Sequence, residues 1–381
     1  MRKLINALPT ALLAAALLLS GPARAADPVR IGVFGPLSGD AAAMGNSAKD
    51  AVELAVKEQN AAGSLLGASV ETVYADDAGK PEEAVNVAKR LVSRDNALIV
   101  LGSVSSPASL AASQVIRQLE TPQIVMGGTA QKITTSGNKW VFRSPVPDTK
   151  LVADLVDFIH EKFPNYKNFA FLYVNDDFGR GGFDAFKAAG EKYGFKLVDE
   201  ERYARGDLDF TAQFGRIKAS SAQALIEWSR YTEGALIAKQ FVQTGMTFPR
   251  FGSDGVATPK YVELGGPAVN GVYFTTHFSE ATTSEIPAAQ TFIKAYRAAY
   301  GRVPDAYAAE AYDAAKLALM AVKAAGEPDR AAVRDALAKL SYDSVRGSFK
   351  FDGKGDPLLA THVVVIEDGK EKNARAMAVQ H

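Results

Sequence analysis

From residue 29 onward, short runs rich in β-branched residues alternate with longer segments whose apolar residues recur at spacings of three and four. Val29–Gly35, Ser69–Asp76, Ala97–Leu101 and Gln123–Met126 read as strands, and Ala43–Gln59, Glu82–Arg94 and Pro107–Leu119 as the helices between them. A strand that returns parallel to its neighbour needs a long crossover, which a helix supplies. The alternation therefore predicts a parallel sheet covered by helices. It resumes after Pro145 and Pro147. There, Phe169–Val174, Lys196–Tyr203, Ala222–Glu227 and Pro249–Gly252 read as strands, and Leu151–Phe163, Phe178–Tyr193 and Thr232–Thr244 as helices. Two such blocks make two α/β domains, each a loose copy of the other. Later pieces, the helices Ile286–Tyr300 and Ala306–Ala325 and the strands Ser344–Phe351 and Thr361–Glu367, have no sheet of their own and are expected to complete the first two.

A length of 381 residues agrees with two domains. The first 25 residues read as a removable secretion leader. Met1-Arg2-Lys3 is a positive start, Ala11–Leu19 an apolar run, and Ala23-Arg24-Ala25 a small-x-small cleavage pattern, so cleavage is expected after Ala25. The apolar run falls short of the roughly 20 residues that span a bilayer, which argues against an uncleaved anchor. The rest of the chain has no apolar stretch of that length, so a soluble periplasmic protein is expected.

Basic and acidic residues number 43 each, and losing Arg2, Lys3 and Arg24 leaves a charge near −3. That balance does not suit nucleic acid or an anionic membrane as partner. The absence of cysteine removes thiol catalysis, and four histidines make a poor source of zinc ligands. No cofactor, metal or catalytic residue is expected. A secreted hydrolase finds little support: there is no Gly-x-Ser-x-Gly elbow, and His160, His277 and His362 fall in surface or strand positions with no matching acid.

In open parallel sheets, ligands bind outside the carboxyl ends of the strands. Four loops qualify. In Gly102–Pro107, Pro107 suits a helix start and Ser106 its N-cap, so free N–H groups with the Ser105 and Ser106 hydroxyls would attract a carboxylate. Met126–Ala130 pairs two glycines, Gly127 and Gly128, with Thr129, letting a ligand approach the backbone. Asn175–Gly182 offers Phe178 as a stacking surface. Gly252–Gly255 places Asp254 after a strand, where it can meet an ammonium. Each loop alone also reads as ordinary capping or turn chemistry. Together they describe a pocket for a zwitterion.

The opening Ile-Gly-Val-Phe-Gly-Pro-Leu-Ser-Gly resembles that of the leucine/isoleucine/valine-binding protein family, the type I periplasmic binding proteins of ABC importers. Further segments match in order: Gly102–Pro107, Gly127–Ala130, Asp176–Gly181, Tyr231-Thr232-Glu233, Gly252–Gly255 and Tyr307–Ala315. The resemblance implies two Rossmann-like lobes joined by three hinge crossovers near residues 144–148, 275–279 and 352–358. Residues 27–146 with 277–354 would form one lobe, and 147–276 with 355–381 the other. It also implies a ligand carboxylate held by Ser106 and Thr129 with help near Gly127, an ammonium met by Asp254, and a monomer that delivers its ligand to an inner-membrane permease.

Some positions depart from the family pattern. Met44 and Phe178 stand where tyrosines are usual, and Arg230 aligns with a third aromatic position. If Arg230 faces the cleft, it either binds a second carboxylate or neutralises Asp254; otherwise it points to water. Met44, Phe178, Trp228 and Tyr307 are candidates for the apolar wall. A branched-chain or other hydrophobic amino acid is the expected ligand. An aromatic carboxylate, a small amide, or a role as the ligand-sensing module of a receptor are the alternatives.

Overall fold

The computed structural model describes residues 27–377; the leader expected over residues 1–25 lies outside them. Strands β1 (Val29–Gly35), β2 (Val70–Asp76), β3 (Ile99–Leu101), β4 (Gln123–Val125) and β5 (Val141–Arg143) form a parallel sheet in the order β2-β1-β3-β4-β5. Five strands of the second sheet, β6 (Asn168–Val174), β7 (Lys196–Tyr203), β8 (Ala224–Trp228), β9 (Arg250–Gly252) and β10 (Val272–Thr276), are also parallel to their neighbours. A hairpin of β11 (Ser341–Ser344) and β12 (Gly347–Lys350) precedes β13 (His362–Glu367) and β14 (Lys370–Asn373). The last two add antiparallel to the second sheet, giving β14-β13-β10-β9-β8-β6-β7.

Helices fill the connections. The first lobe carries α1 (Ala42–Ala62), α2 (Pro81–Ser93), α3 (Ser106–Gln118) and the short α4 (Lys132–Thr135). The second has α5 (Asp148–Lys162), α6 (Asp177–Gly190), α7 (Thr211–Ala219), α8 (Tyr231–Gln243) and α9 (Pro259–Gly265). After β10 come α10 (Glu280–Thr283), α11 (Pro287–Tyr300), α12 (Ala306–Ala325) and α13 (Arg330–Leu337).

The expected α/β architecture of two parallel-sheet lobes is what the chain adopts. Helices on both faces leave the central strands almost continuously apolar: Ile31, Val33 and Phe34 of β1 and Phe169, Phe171 and Leu172 of β6 are buried. The expected completion of the first lobe by late helices is also seen. Helix α12 packs against α1 and against β3 and β4 of the first sheet, and its Ala-rich faces allow close approach. Its N-cap Asp305 accepts from Ala308 N at 2.9 Å and from Ser47 Oγ of α1 at 2.6 Å. Gly326, with φ of +74°, ends it in the left-handed conformation that glycine adopts at no steric cost.

One expected strand is corrected. Residues 344–351 do not run as one strand; the chain turns at Val345 and Arg346 to form the β11–β12 hairpin. The turn points inward because Arg346 is buried, its Nε 2.6 Å from Asp313 Oδ2 and its Nη2 2.6 Å from Ser144 Oγ.

The chain passes between the two sheets after β5, after β10 and after β12. The first and third passages meet at Arg143, which is fully buried. Its Nε donates to Asp356 Oδ1 at 2.5 Å, its Nη1 to the carbonyls of Thr129 (2.9 Å) and Ala130 (3.0 Å), and its Nη2 to Thr134 Oγ1 at 2.9 Å. One side chain thus fixes a crossover and the loop after β4. Removing one partner of a buried pair strands the other charge at about 3–5 kcal/mol. Asp356→Ala is therefore expected to cost about that much unfolding free energy, read from the urea midpoint at unchanged slope. A loss under about 1 kcal/mol, the worth of an ordinary hydrogen bond, would mean that the carbonyls hold the guanidinium alone.

Candidate functional site

Both sheets turn the carboxyl ends of their strands toward the groove between the lobes, as open parallel sheets do. Met44, Val104, Ser106, Gly127 and Tyr307 line a cavity there from the first lobe, and Phe178, Arg230, Asp254 and Gly255 from the second. The cavity measures about 10 Å³, the space one buried water needs. The lobes are closed on one another. Tyr307 Oη donates to Asp254 O at 3.1 Å, Thr232 Oγ1 to Asp40 O at 2.8 Å, and Ala43 N to Tyr231 Oη at 3.3 Å.

At the outer rim a clasp completes the closure. Arg205, between β7 and α7, reaches from the second lobe to the Asp40 carboxylate (Nε–Oδ2 2.7 Å) and to the carbonyls of Gly79 (2.6 Å) and Ala78 (3.2 Å). Burial works against the ionised Asp40, but the Arg205 guanidinium outweighs it and lowers the carboxyl's pKa.

On the first lobe, Ser105 rather than Ser106 is the N-cap of α3, and its hydroxyl turns to Gly79 O at 3.4 Å, away from the cavity. Ser106 is the first helical residue. Its Oγ accepts from Thr129 N at 3.1 Å and Ala130 N at 3.2 Å, which leaves its proton for a ligand oxygen. Thr129 Oγ1 is buried and unpartnered. A Cβ on Gly127 would stand 2.9 Å from Val104 and 3.2 Å from Tyr307, so only glycine leaves the floor open.

On the second lobe, Asp176 caps α6, its Oδ1 accepting from Phe178 N at 2.9 Å and Gly179 N at 3.1 Å. Its Oδ2 takes Arg230 Nη2 at 2.8 Å. Arg230 faces the cleft and lies over the Phe178 ring, 5.1 Å from its centre. Its partner is Asp176 and not Asp254, so the expected alternative of internal neutralisation is not what the side chains do. Its Nη1 is buried without a partner. Trp228 does not line the cavity; it packs among Phe171, Phe178 and Gly182.

Asp254 heads a short 3-10 turn capped by Ser253 Oγ, which accepts from Gly255 N at 3.2 Å. It is buried, with Oδ1 unpartnered. Burial pushes its carboxyl up to about 8; His277 opposes this, while Asp148 and Glu310 add to it. Asp148 was not legible as a site residue, because an acid beside Pro147 reads as ordinary helix capping. In the fold it is wholly buried, and burial raises its pKa against the opposing effect of the Thr129 hydroxyl, the Arg143 charge and the Trp228 N–H. Unpaired buried polar atoms cost about 1–3 kcal/mol each. Of the residues that line the cavity, Arg230 and Asp254 carry such atoms, Nη1 and Oδ1.

The expectation for His277 is also corrected: it has an acid. Its Nδ1 lies 2.5 Å from Glu310 Oε1, both residues buried. Burial opposes protonation of His277, but Glu310 prevails and raises its pKa. Nε2 sits 3.4 Å from Val146 O rather than on a serine hydroxyl, so the pair lacks the nucleophile of a hydrolytic triad. Among the described residues no cluster of His, Asp or Glu is arranged to hold a metal ion.

The sequence profile of the periplasmic binding protein family matches residues 28–370. The chain belongs to that family. An amino acid binding protein of Pseudomonas aeruginosa is 32% identical to this periplasmic binding protein over 90% of this chain and 91% of its own. Leu/Ile/Val-binding protein homolog 3 of Brucella melitensis is 30% identical over 83% of each. The crystal structure of a leucine binding protein from Thermotoga maritima superposes with a TM-score of 0.85 at 28% identity, covering 92% of this chain and 100% of that one.

The clasp generates a prediction for this binding protein. Arg205→Ala is expected to raise the ligand-free radius of gyration in X-ray solution scattering. The unfolding free energy from urea titration should fall by less than about 1 kcal/mol, since the pair is about a quarter exposed and screened. An unchanged scattering curve would show that other contacts hold the lobes together.

Proposed function

We propose that this periplasmic binding protein captures a zwitterionic α-amino acid between its lobes and delivers it, as a monomer, to the permease of an ABC importer in the inner membrane. Residues 27–146 with 277–354 move as one lobe, and 147–276 with 355 onward as the other. The leader over residues 1–25 supports the periplasmic location. The observation that carries the reading is Asp254, a buried carboxyl group on the cavity wall whose Oδ1 has no hydrogen-bond partner in the protein. Gly127, after β4, and Ser106 line the same cavity from the opposite lobe; Ser106 is at the N-terminus of α3, where unpaired N–H groups and the helix dipole favour a carboxylate. An amino acid bridging the two makes binding and closure one event, because contacts from both lobes exist only in the closed form. The names of the relatives, one for amino acids and one for Leu, Ile and Val, agree with this ligand class. An aromatic carboxylate would suit Phe178 and Tyr307 but would leave Asp254 unmet.

Truncating one partner of a buried charge pair costs about 2–5 kcal/mol. Asp254→Ala is expected to weaken the best amino-acid ligand by about 30-fold or more, measured by isothermal titration of the ligand-stripped protein. Equal affinity would end the zwitterion reading.

A second outcome follows from the raised pKa. Without ligand, Asp254 holds its proton up to about pH 8, whereas an arriving ammonium favours the ionised form. Binding at pH 7 should therefore release a proton, and affinity should rise as the pH climbs toward 8. Titrations at pH 7 in two buffers of different ionisation enthalpy are expected to give different apparent enthalpies. The difference should vanish in Asp254→Asn; its persistence there would assign the proton to Asp148 or His277.

A further inference from the structure

The zwitterion accounts for Asp254 and for the start of α3, but leaves Arg230 unused. We propose that Arg230 selects an amino acid whose side chain ends in a neutral hydrogen-bond acceptor, a carboxamide in particular, over aliphatic and acidic side chains. This rests on the amino-acid reading above and refines its ligand class.

Three observations carry it. The first is the free donor. Arg230 lines the cavity, is 6% exposed, and its Nη1 is buried with no partner. An aliphatic ligand filling the cleft would leave that charged donor unpaired in a dry site, where the cost is largest.

The second is charge. Nη2 already sits 2.8 Å from Asp176 Oδ2, so the guanidinium is matched. Glu233, 2% exposed, and the buried Tyr203 face the same group. A side-chain carboxylate arriving at Nη1 would add a further anion around one cation that Asp176 and Glu233 already face, and buried charge is tolerated only when it is paired. A neutral carbonyl oxygen satisfies the N–H and brings no charge.

The third is rigidity. The Phe178 ring supports the guanidinium from one face, and Asp176 fixes one edge while itself anchored by two backbone N–H groups at the start of α6. The donor is pre-organised, so little ordering opposes its use. Met44, Val104 and Tyr307 supply apolar wall for a short methylene stem.

The test is a titration panel on the ligand-stripped protein lacking residues 1–25. Asparagine is compared with its near-isostere leucine, glutamine with glutamate, and isoleucine and valine are included. One satisfied bond to a charged donor predicts about a tenfold or greater advantage of amide over aliphatic and over acid. Arg230→Met should reduce the amide preference to less than about threefold, because one hydrogen bond to a charged group accounts for the rest. Asp176→Asn keeps a residue able to cap α6 but removes the countercharge. It should move the preference toward glutamate by about tenfold, and this arm stands even if the Arg230 variant does not fold.

Tightest binding of leucine, isoleucine or valine by the unaltered protein would overturn the inference while leaving the amino-acid reading intact. Tightest binding of glutamate, or no change of preference in Asp176→Asn, would overturn the charge-matching argument. Binding of aromatic acids with no α-amino acid bound would overturn both readings.

Discussion

A guanidinium that no water reaches must be held entirely by protein, and Arg143 organises the middle of this molecule around that need. Its acceptors come from the third passage between the sheets (Asp356), from the loop after β4 (Thr129 and Ala130) and from α4 (Thr134). The Thr129 loop is thereby tied to the third passage between the sheets through one side chain. A second buried arginine, Arg346, repeats the device by joining Asp313 of α12 to Ser144 of the first passage.

The charges nearer the cleft are left incomplete. Asp254 is buried with Oδ1 lacking a hydrogen-bond partner, and Arg230 has one matched and one unmatched edge. Completing these groups from within would stabilise the protein at the expense of its ligand. The closed form is held instead by contacts that leave the cleft groups free: the Arg205 clasp at the rim, and the bonds from Tyr307 and Thr232 to backbone carbonyls across the groove.

Much of this was legible in the sequence. The strand–helix alternation gives both lobes, and Lys196–Tyr203 and Ala306–Ala325 occur over the spans their patterns suggest. Strand β5 escaped notice because three residues ending in an arginine do not read as a buried strand, although Arg143 is fully buried. The β11–β12 turn was hidden for a similar reason, since Arg346 points inward to an acid 33 positions earlier. In the structure Ser106, Gly127, Phe178, Arg230, Asp254 and Met44 line one cavity, because loops after parallel strands share one edge, whereas Thr129 is not on its wall. Ser105 does not join them, since its hydroxyl donates to the carbonyl of Gly79 in the loop after β2. Asp148 and the His277–Glu310 pair depend on contacts between distant segments, which no local pattern encodes.

The position of α12 has a consequence for the order in which this chain can mature during synthesis. Ala48, Ala51, Val52 and Ala55 of α1 are fully buried, and the helix they pack against begins only at Ala306. The second sheet is likewise finished by strands that start at His362. A ribosome that has made the first three-quarters of the chain has therefore completed neither lobe, and the earliest helix still exposes its apolar stripe. Such a chain stays loose until nearly its last residue is added, which is the condition a polypeptide must meet to be threaded through a narrow pore before it folds.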